Sequence, residues 1–161
     1  MFGEKQFENP AVLFSIKEPY CSLIFEGEKT VEVRTRKPRL PVPFKGYVYQ
    51  TLPVYGDQNE KDGHVVGEFV CDKIEEMVFV GTNERDRRYM YIDKDLYVHS
   101  LGIEDYGKMK LAPQDLIEYG KGRRLYGLHI TEARNYEKPL PLSEFGLEYA
   151  PQGWRYVESR E

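Results

Sequence analysis

The stretch Gly27 to Arg36 concentrates the side chains best suited to chemistry. Lys29, Glu32 and Arg34 follow Gly27 in the spacing Gly-x-Lys-x-x-Glu-x-Arg. An ammonium, a carboxylate and a guanidinium this close together can hold a phosphate, read a hydrogen-bonding edge or move a proton. Charge sharpens the point. From Lys29 to Lys45 the basic residues are Lys29, Arg34, Arg36, Lys37, Arg39 and Lys45, and the only acid is Glu32. That local balance of +5 lies in a chain of net charge -4. Phosphate is drawn to such a patch and repelled by the rest of the surface. The competing reading is a solvated strand face tied by ion pairs such as Glu32–Arg34.

Two further residues extend the set. Lys17 ends the first expected strand, either within reach of the same cleft or as a solvated strand end. Glu68 lies in an apolar strand, where a lone carboxylate is costly, so a basic partner such as Arg34 or Lys29 is expected. If Lys29, Glu32 and Glu68 share a cleft, they form a catalytic set for general acid/base work. If the site only binds, Lys17, Lys29, Arg34, Arg36, Lys37 and Arg39 meet phosphate or sugar, and Glu32 fixes the arginines or accepts from a base.

Other polar residues read as structural. His129 lies on the opposite strand face from Tyr126 and Leu128 and is expected to hydrogen-bond, while His64 and His99 have no supporting spacing. The clusters Arg85, Arg87, Arg88 and Lys121, Arg123, Arg124 read as solvated turns. Trp154 reads as a core plug rather than a base platform. Cys21 and Cys71 form no CxxC pair and no zinc spacing, so two reduced, buried thiols and no metal or cofactor are expected.

The elements that position these residues are mostly strands. Ala11 to Lys17 is a buried first strand, and Pro19 opens a short helix that Gly27 ends. Thr30 to Arg36 alternates, with Val31 and Val33 on one face and Glu32, Arg34 and Arg36 on the other. Pro38, Pro41 and Pro43 exclude a central strand there. Strands are expected over Gly46–Thr51, His64–Val80 (one or a pair), Arg124–Arg134 and Gly153–Glu158. Gly67 marks a bulge or a close backbone approach. Helices are expected over Asp93–Leu101 and Pro113–Tyr119. Short strands without βαβ alternation predict a small closed or nearly closed barrel.

The whole composition sets bounds. At 161 residues, one domain over 11–161 is expected, after a loose N-terminal extension over 1–10. Thirteen tyrosines and eight phenylalanines favour half-buried strands. A net acidic chain does not fit a general electrostatic binder of long nucleic acid. No segment reads as a signal peptide or a membrane span, which gives a cytoplasmic expectation.

The spacing and its setting resemble the ASCH domain family, a branch of the PUA-like barrels. Carrying the resemblance are Ser15-Ile16-Lys17 before the helix, Ile24-Phe25-Glu26-Gly27 at its end, the motif itself, Pro38 to Pro43, and Gly46-Tyr47-Val48-Tyr49. Later segments also resemble family strands: Val66-Gly67-Glu68-Phe69, Tyr126 to Ile130, Pro139 to Phe145 and Gly153 to Val157. The resemblance implies an α+β, mostly β, PUA-like small β-barrel with short flanking helices and a cleft beside the first helix.

It also implies RNA or nucleotide binding, because such relatives are associated with RNA recognition, with coactivator complexes and, in a few members, with hydrolysis of RNA or acylated pyrimidine nucleosides. The small amidohydrolases among them use a lysine, a threonine three residues on, and a distant glutamate. Lys29 matches the lysine, but Glu32 stands at the threonine position, and a carboxylate does not replace a hydroxyl nucleophile. The balance therefore tips to recognition of single-stranded or structured RNA, with a small hydrolase in the same cleft as the alternative and a protein-interaction domain as a third reading.

Overall fold

The computed structural model of the protein describes residues 6–160. In chain order its elements are β1 (Pro10–Ile16), α1 (Tyr20–Phe25), β2 (Val31–Arg34), β3 (Phe44–Gln50), β4 (His64–Val80), β5 (Arg88–Ile92), β6 (Val98–Ser100), α2 (Ile103–Met109), α3 (Pro113–Gly120), β7 (Leu125–Leu140), a 3-10 turn (Leu142–Phe145) and β8 (Trp154–Glu158). The strands form one eight-stranded sheet with the path β2-β7-β4-β3-β1-β8, and β5 and β6 form a hairpin hung on β4. The pair β1 and β3 is parallel, and α1 and β2 make the crossover between them. The architecture is the mostly-β α+β one expected.

Of the closed or nearly closed barrel expected, full closure is absent. The ends of the path, β2 and β8, do not pair with each other, so the sheet is not closed by backbone hydrogen bonds. Strand β2 stops at Arg34, four residues before the first proline of the segment that follows. Side chains bridge the gap instead. Arg34 Nη2 donates to the Ser15 carbonyl (2.9 Å) and Arg34 Nη1 to the Gly153 carbonyl (3.3 Å). Trp154 Nε1 donates to the Arg36 carbonyl (3.0 Å). The motif segment thus lies along an open seam.

Burial explains the first strand. Val12 and Phe14 join one apolar cluster with Val48, Phe69, Leu128 and Trp154, while Ala11 and Leu13 join another with Tyr47, Phe145 and Val157. A strand covered on both faces reads as a continuous apolar run. Trp154 is buried, as a core plug. A third cluster, including Val31, Val33, Met77, Leu116 and Leu125, packs β2 against α2 and α3.

Some local readings differ. Asp93 to Leu101 is not a helix but a tight turn and strand β6. Asp93 Oδ1 accepts from the backbone of Asp95 (2.9 Å) and Tyr97 (3.0 Å), and such local aspartate bonds compete with helix. Gly102 therefore opens α2 rather than ending a helix. Strand β7 runs on to Leu140, past the expected Arg134. Strand β4 is one continuous strand, and Gly67 serves both suggested purposes: the register with β7 shifts beside it, and a Cβ there would meet the Phe25 ring and the Arg134 carbonyl. At the N-terminus residues 1–5 lie outside the described residues. Glu8 and Asn9 are tied down, donating through their backbones to the Glu158 carboxylate (3.0 and 2.6 Å).

Candidate functional site

Lys29 is aimed by the turn that ends α1. Gly27 takes the left-handed conformation (φ 79°), which glycine adopts at little cost. The Lys29 amide then donates back to Leu23 (3.0 Å), and Thr30 is held between the backbones of Lys108 (2.9 Å) and Ile130 (2.8 Å). With its backbone locked, Lys29 sends its ammonium to the Met109 carbonyl at the end of α2. Carbonyls at a helix C-terminus lack partners within the helix, and a cation there is favoured. Lys29 is 1% exposed. Its Nζ also lies 3.5 Å from Glu32 Oε1 and 5.0 Å from the centre of the Tyr20 ring.

Glu32 and Arg34 project from the same face of β2, as alternation requires. Arg34 Nη2 donates to Glu32 Oε2 (2.9 Å). Glu32 therefore receives one cation on each oxygen. Burial pushes its carboxyl up, but Arg34 and then Lys29 outweigh that and hold it below the usual glutamate range. Burial acts on Lys29 as well and lowers its ammonium pKa, opposed by the attraction of Glu32.

These three side chains line a cleft of about 560 Å³ beside the seam. Its walls include Lys17 just after β1, Tyr20 at the start of α1, Asp115 and Tyr119 from α3, Thr51 after β3, and the segment Pro151–Gly153 before β8. Asp115 is engaged, since its Oδ2 accepts from the Ala112 amide (2.7 Å) and caps α3.

The sequence-derived candidates divide into three groups. Lys17, Lys29, Glu32 and Arg34 come together in the cleft. Arg36, Lys37 and Arg39 lie outside it on an exposed surface: Arg36 packs on Trp154 (4.0 Å to the ring centre), Lys37 pairs with Glu76 (3.5 Å), and the Arg39 amide donates to the Tyr156 hydroxyl (2.8 Å). Glu68 stands apart. It pairs with Arg134 (3.0 Å) and Lys45 (3.4 Å), accepts from the Tyr136 hydroxyl (2.8 Å), and is not among the cleft-lining residues. Glu68 has the basic partners expected of it, but they are Arg134 and Lys45 rather than Arg34 or Lys29, because β4 lies between β3 and β7 and Glu68 is opposite Tyr47 and Arg134.

Tyr20 and Tyr119 were not among the candidate site residues. Tyr20 reads in the sequence as part of the apolar face of α1, and its place nine residues before Lys29 was the only pointer to it. Tyr119 arrives from α3 and carries no local signal. His129 is a structural hydrogen-bonder, 2.6 Å from Glu75. Cys21 and Cys71 are free and buried, and burial raises the Cys71 thiol to about 11. Among the described residues no group of three or more His, Cys, Asp or Glu could hold a metal, and no helix is long and apolar enough to cross a membrane.

The ASCH domain model matches residues 14–139, which spans the motif, the cleft floor and most of the sheet. The crystal structure of ASCH from Zymomonas mobilis aligns with a TM-score of 0.63 at 19% identity, covering 92% of this chain and 87% of that one. A tyrosine-to-phenylalanine variant of the Zymomonas mobilis protein aligns at 0.62 and 18% (92% and 90% covered), and a serine-to-alanine variant at 0.64 and 18% (95% and 92%). At that identity the likeness is one of fold. No curated protein matches the chain. With the family match covering the motif and the sheet that carries it, the chain belongs to the ASCH domain family.

Proposed function

We propose that the protein binds nucleic acid, RNA in preference, by taking one unstacked nucleotide into the cleft beside α1. The observation that carries this reading is the buried Lys29–Glu32–Arg34 array under an open cleft walled by Tyr20 and Tyr119. The volume suits a ligand of nucleotide size. Lys29 and Arg34 already spend donors on Glu32 and on the carbonyls of Met109, Ser15 and Gly153. The floor is therefore a mixed donor and acceptor surface, which suits a base edge better than a phosphate. Phosphate falls to Lys17, exposed at the rim. Family membership supports RNA as the polymer, since ASCH relatives are associated with RNA recognition. The hydrolase alternative loses support, because its set needed Glu68 beside Lys29.

Protein stripped of nucleic acid, titrated with RNA pools and nucleoside monophosphates at two salt concentrations, tests the reading. Salt-dependent binding is expected, weakened several-fold by Tyr119→Ala and unchanged by Glu68→Gln. Failure to bind any pool overturns the reading. A loss with Glu68→Gln as large as with Tyr119→Ala moves the site away from the cleft.

A further inference from the structure

We infer that Arg36, stacked on Trp154, is a second platform that receives the nucleotide next to the one in the cleft, so that the protein holds a short single strand rather than one isolated nucleotide. The inference rests on the cleft reading above and extends it along the strand.

The ion pairs of the basic stretch single out Arg36. Lys29 and Arg34 pair with Glu32, Lys37 with Glu76, and Lys45 with Glu68. Among the described residues, no carboxylate is within ion-pair distance of Arg36 or Arg39. Their charge is uncompensated, and both are exposed. Among the described residues no aromatic ring lies beneath the Arg39 guanidinium, whereas one lies beneath that of Arg36. Its guanidinium carbon lies 4.0 Å from the centre of the Trp154 ring, the shortest cation-to-ring distance among the described residues.

The platform is built in advance. Arg36 Nη2 donates to the Trp154 carbonyl (3.4 Å), and Trp154 Nε1 donates to the Arg36 carbonyl (3.0 Å). Trp154 is itself wedged in the core and meets Tyr156 edge-on, with ring centres 5.1 Å apart. Trp154 is 7% exposed while Arg36 is exposed, so the guanidinium covers the indole and turns its outer face to solvent. A planar, weakly hydrated guanidinium fixed over an aromatic ring is a surface on which a base stacks.

The platform also adjoins the cleft. Gly153 lines the cleft and Trp154 is the next residue. Arg34 lines the cleft and Arg36 is two residues further on. A phosphate leaving the cleft would pass the uncompensated charge of Arg36 on its way to the next base.

Binding of a nucleoside monophosphate is compared with that of the dinucleotide and tetranucleotide of the same base, in wild type, Arg36→Ala and Arg36→Lys. The tetranucleotide is expected to bind about tenfold more tightly than the monophosphate, the size of one stacked base. Arg36→Ala should abolish that gain and leave the monophosphate affinity unchanged. Arg36→Lys keeps the charge without the plane and should recover only a small part of it. Trp154 is the only tryptophan, so its fluorescence should respond to the tetranucleotide and not to the monophosphate. A full gain in Arg36→Ala, or equal gain in Arg36→Lys and wild type, overturns the platform. So does monophosphate binding with no dependence on length, which leaves the cleft reading intact. Failure of every ligand to bind overturns both.

Discussion

Arg34 Nη2 lies 2.9 Å from Glu32 Oε2, on one face of a four-residue strand at the open edge of the sheet. The same guanidinium reaches across to the carbonyls of Ser15 and Gly153. The pair therefore serves two purposes: it neutralises a buried carboxylate and it clips together two sheet edges that the backbone leaves unpaired.

Removing the carboxylate should expose how much the fold depends on it. Glu32→Ala leaves the buried Lys29 ammonium and much of Arg34 without a counter-charge. Breaking one partner of a buried pair costs about 3–5 kcal/mol. Urea unfolding should show a loss near the lower end, because Lys29 keeps its Met109 carbonyl and Arg34 keeps Ser15 and Gly153.

The pH dependence follows from the same group. Glu32 has a carboxyl pKa lower in the folded chain than in the unfolded one. Its contribution is complete above the ordinary glutamate range and is lost as pH falls towards the folded value, since the unfolded chain takes up the proton first. Stability measured from neutral pH downwards should therefore fall less steeply in Glu32→Gln than in wild type. Equal acid slopes would contradict this account of Glu32. Lys29 acts on the alkaline side. Burial lowers its folded pKa, so the unfolded chain keeps the proton longer and this one contribution rises with pH.

Lys17 gives a test of where phosphate sits. It is exposed at the cleft rim, and its Nζ lies 5.9 Å from the Tyr20 ring centre. Lys17→Ala should weaken RNA binding about equally for all sequences. The slope of log affinity against log salt should become shallower by about 0.7, the value for one phosphate contact on a single strand. An unchanged slope would remove Lys17 from the phosphate path.

Gly67 tests the sheet beneath the site. A methyl group there would collide with the Phe25 ring at the end of α1 and with the Arg134 backbone carbonyl. The ring can shift, but the carbonyl belongs to the neighbouring strand. Gly67→Ala should lower stability by about 1–3 kcal/mol, the usual cost of overpacking, read from the thermal midpoint.

Much of the site was legible in the sequence. Gly27, Lys29, Glu32 and Arg34 lie within eight residues, and a helix stop followed by strand alternation is enough to aim them. The first strand was legible for the same reason, since burial on both faces writes a continuous apolar run. The turn and strand over 93–100 were not, because side-chain bonds from Asp93 override the local pattern.

Tertiary structure alone decided the rest. Glu68 looked like a partner for Lys29 by chemistry, yet strand order put it beside Arg134 and Lys45. Tyr119 came to the cleft from α3, and Met109 met Lys29 from eighty residues away. The sheet edges β2 and β8 stayed unpaired, which made a seam where a closed or nearly closed barrel was expected. Local sequence determines which side chains share a strand face, because backbone geometry repeats every two residues. Which strands become neighbours depends on how distant apolar faces bury one another, and no local spacing carries that information.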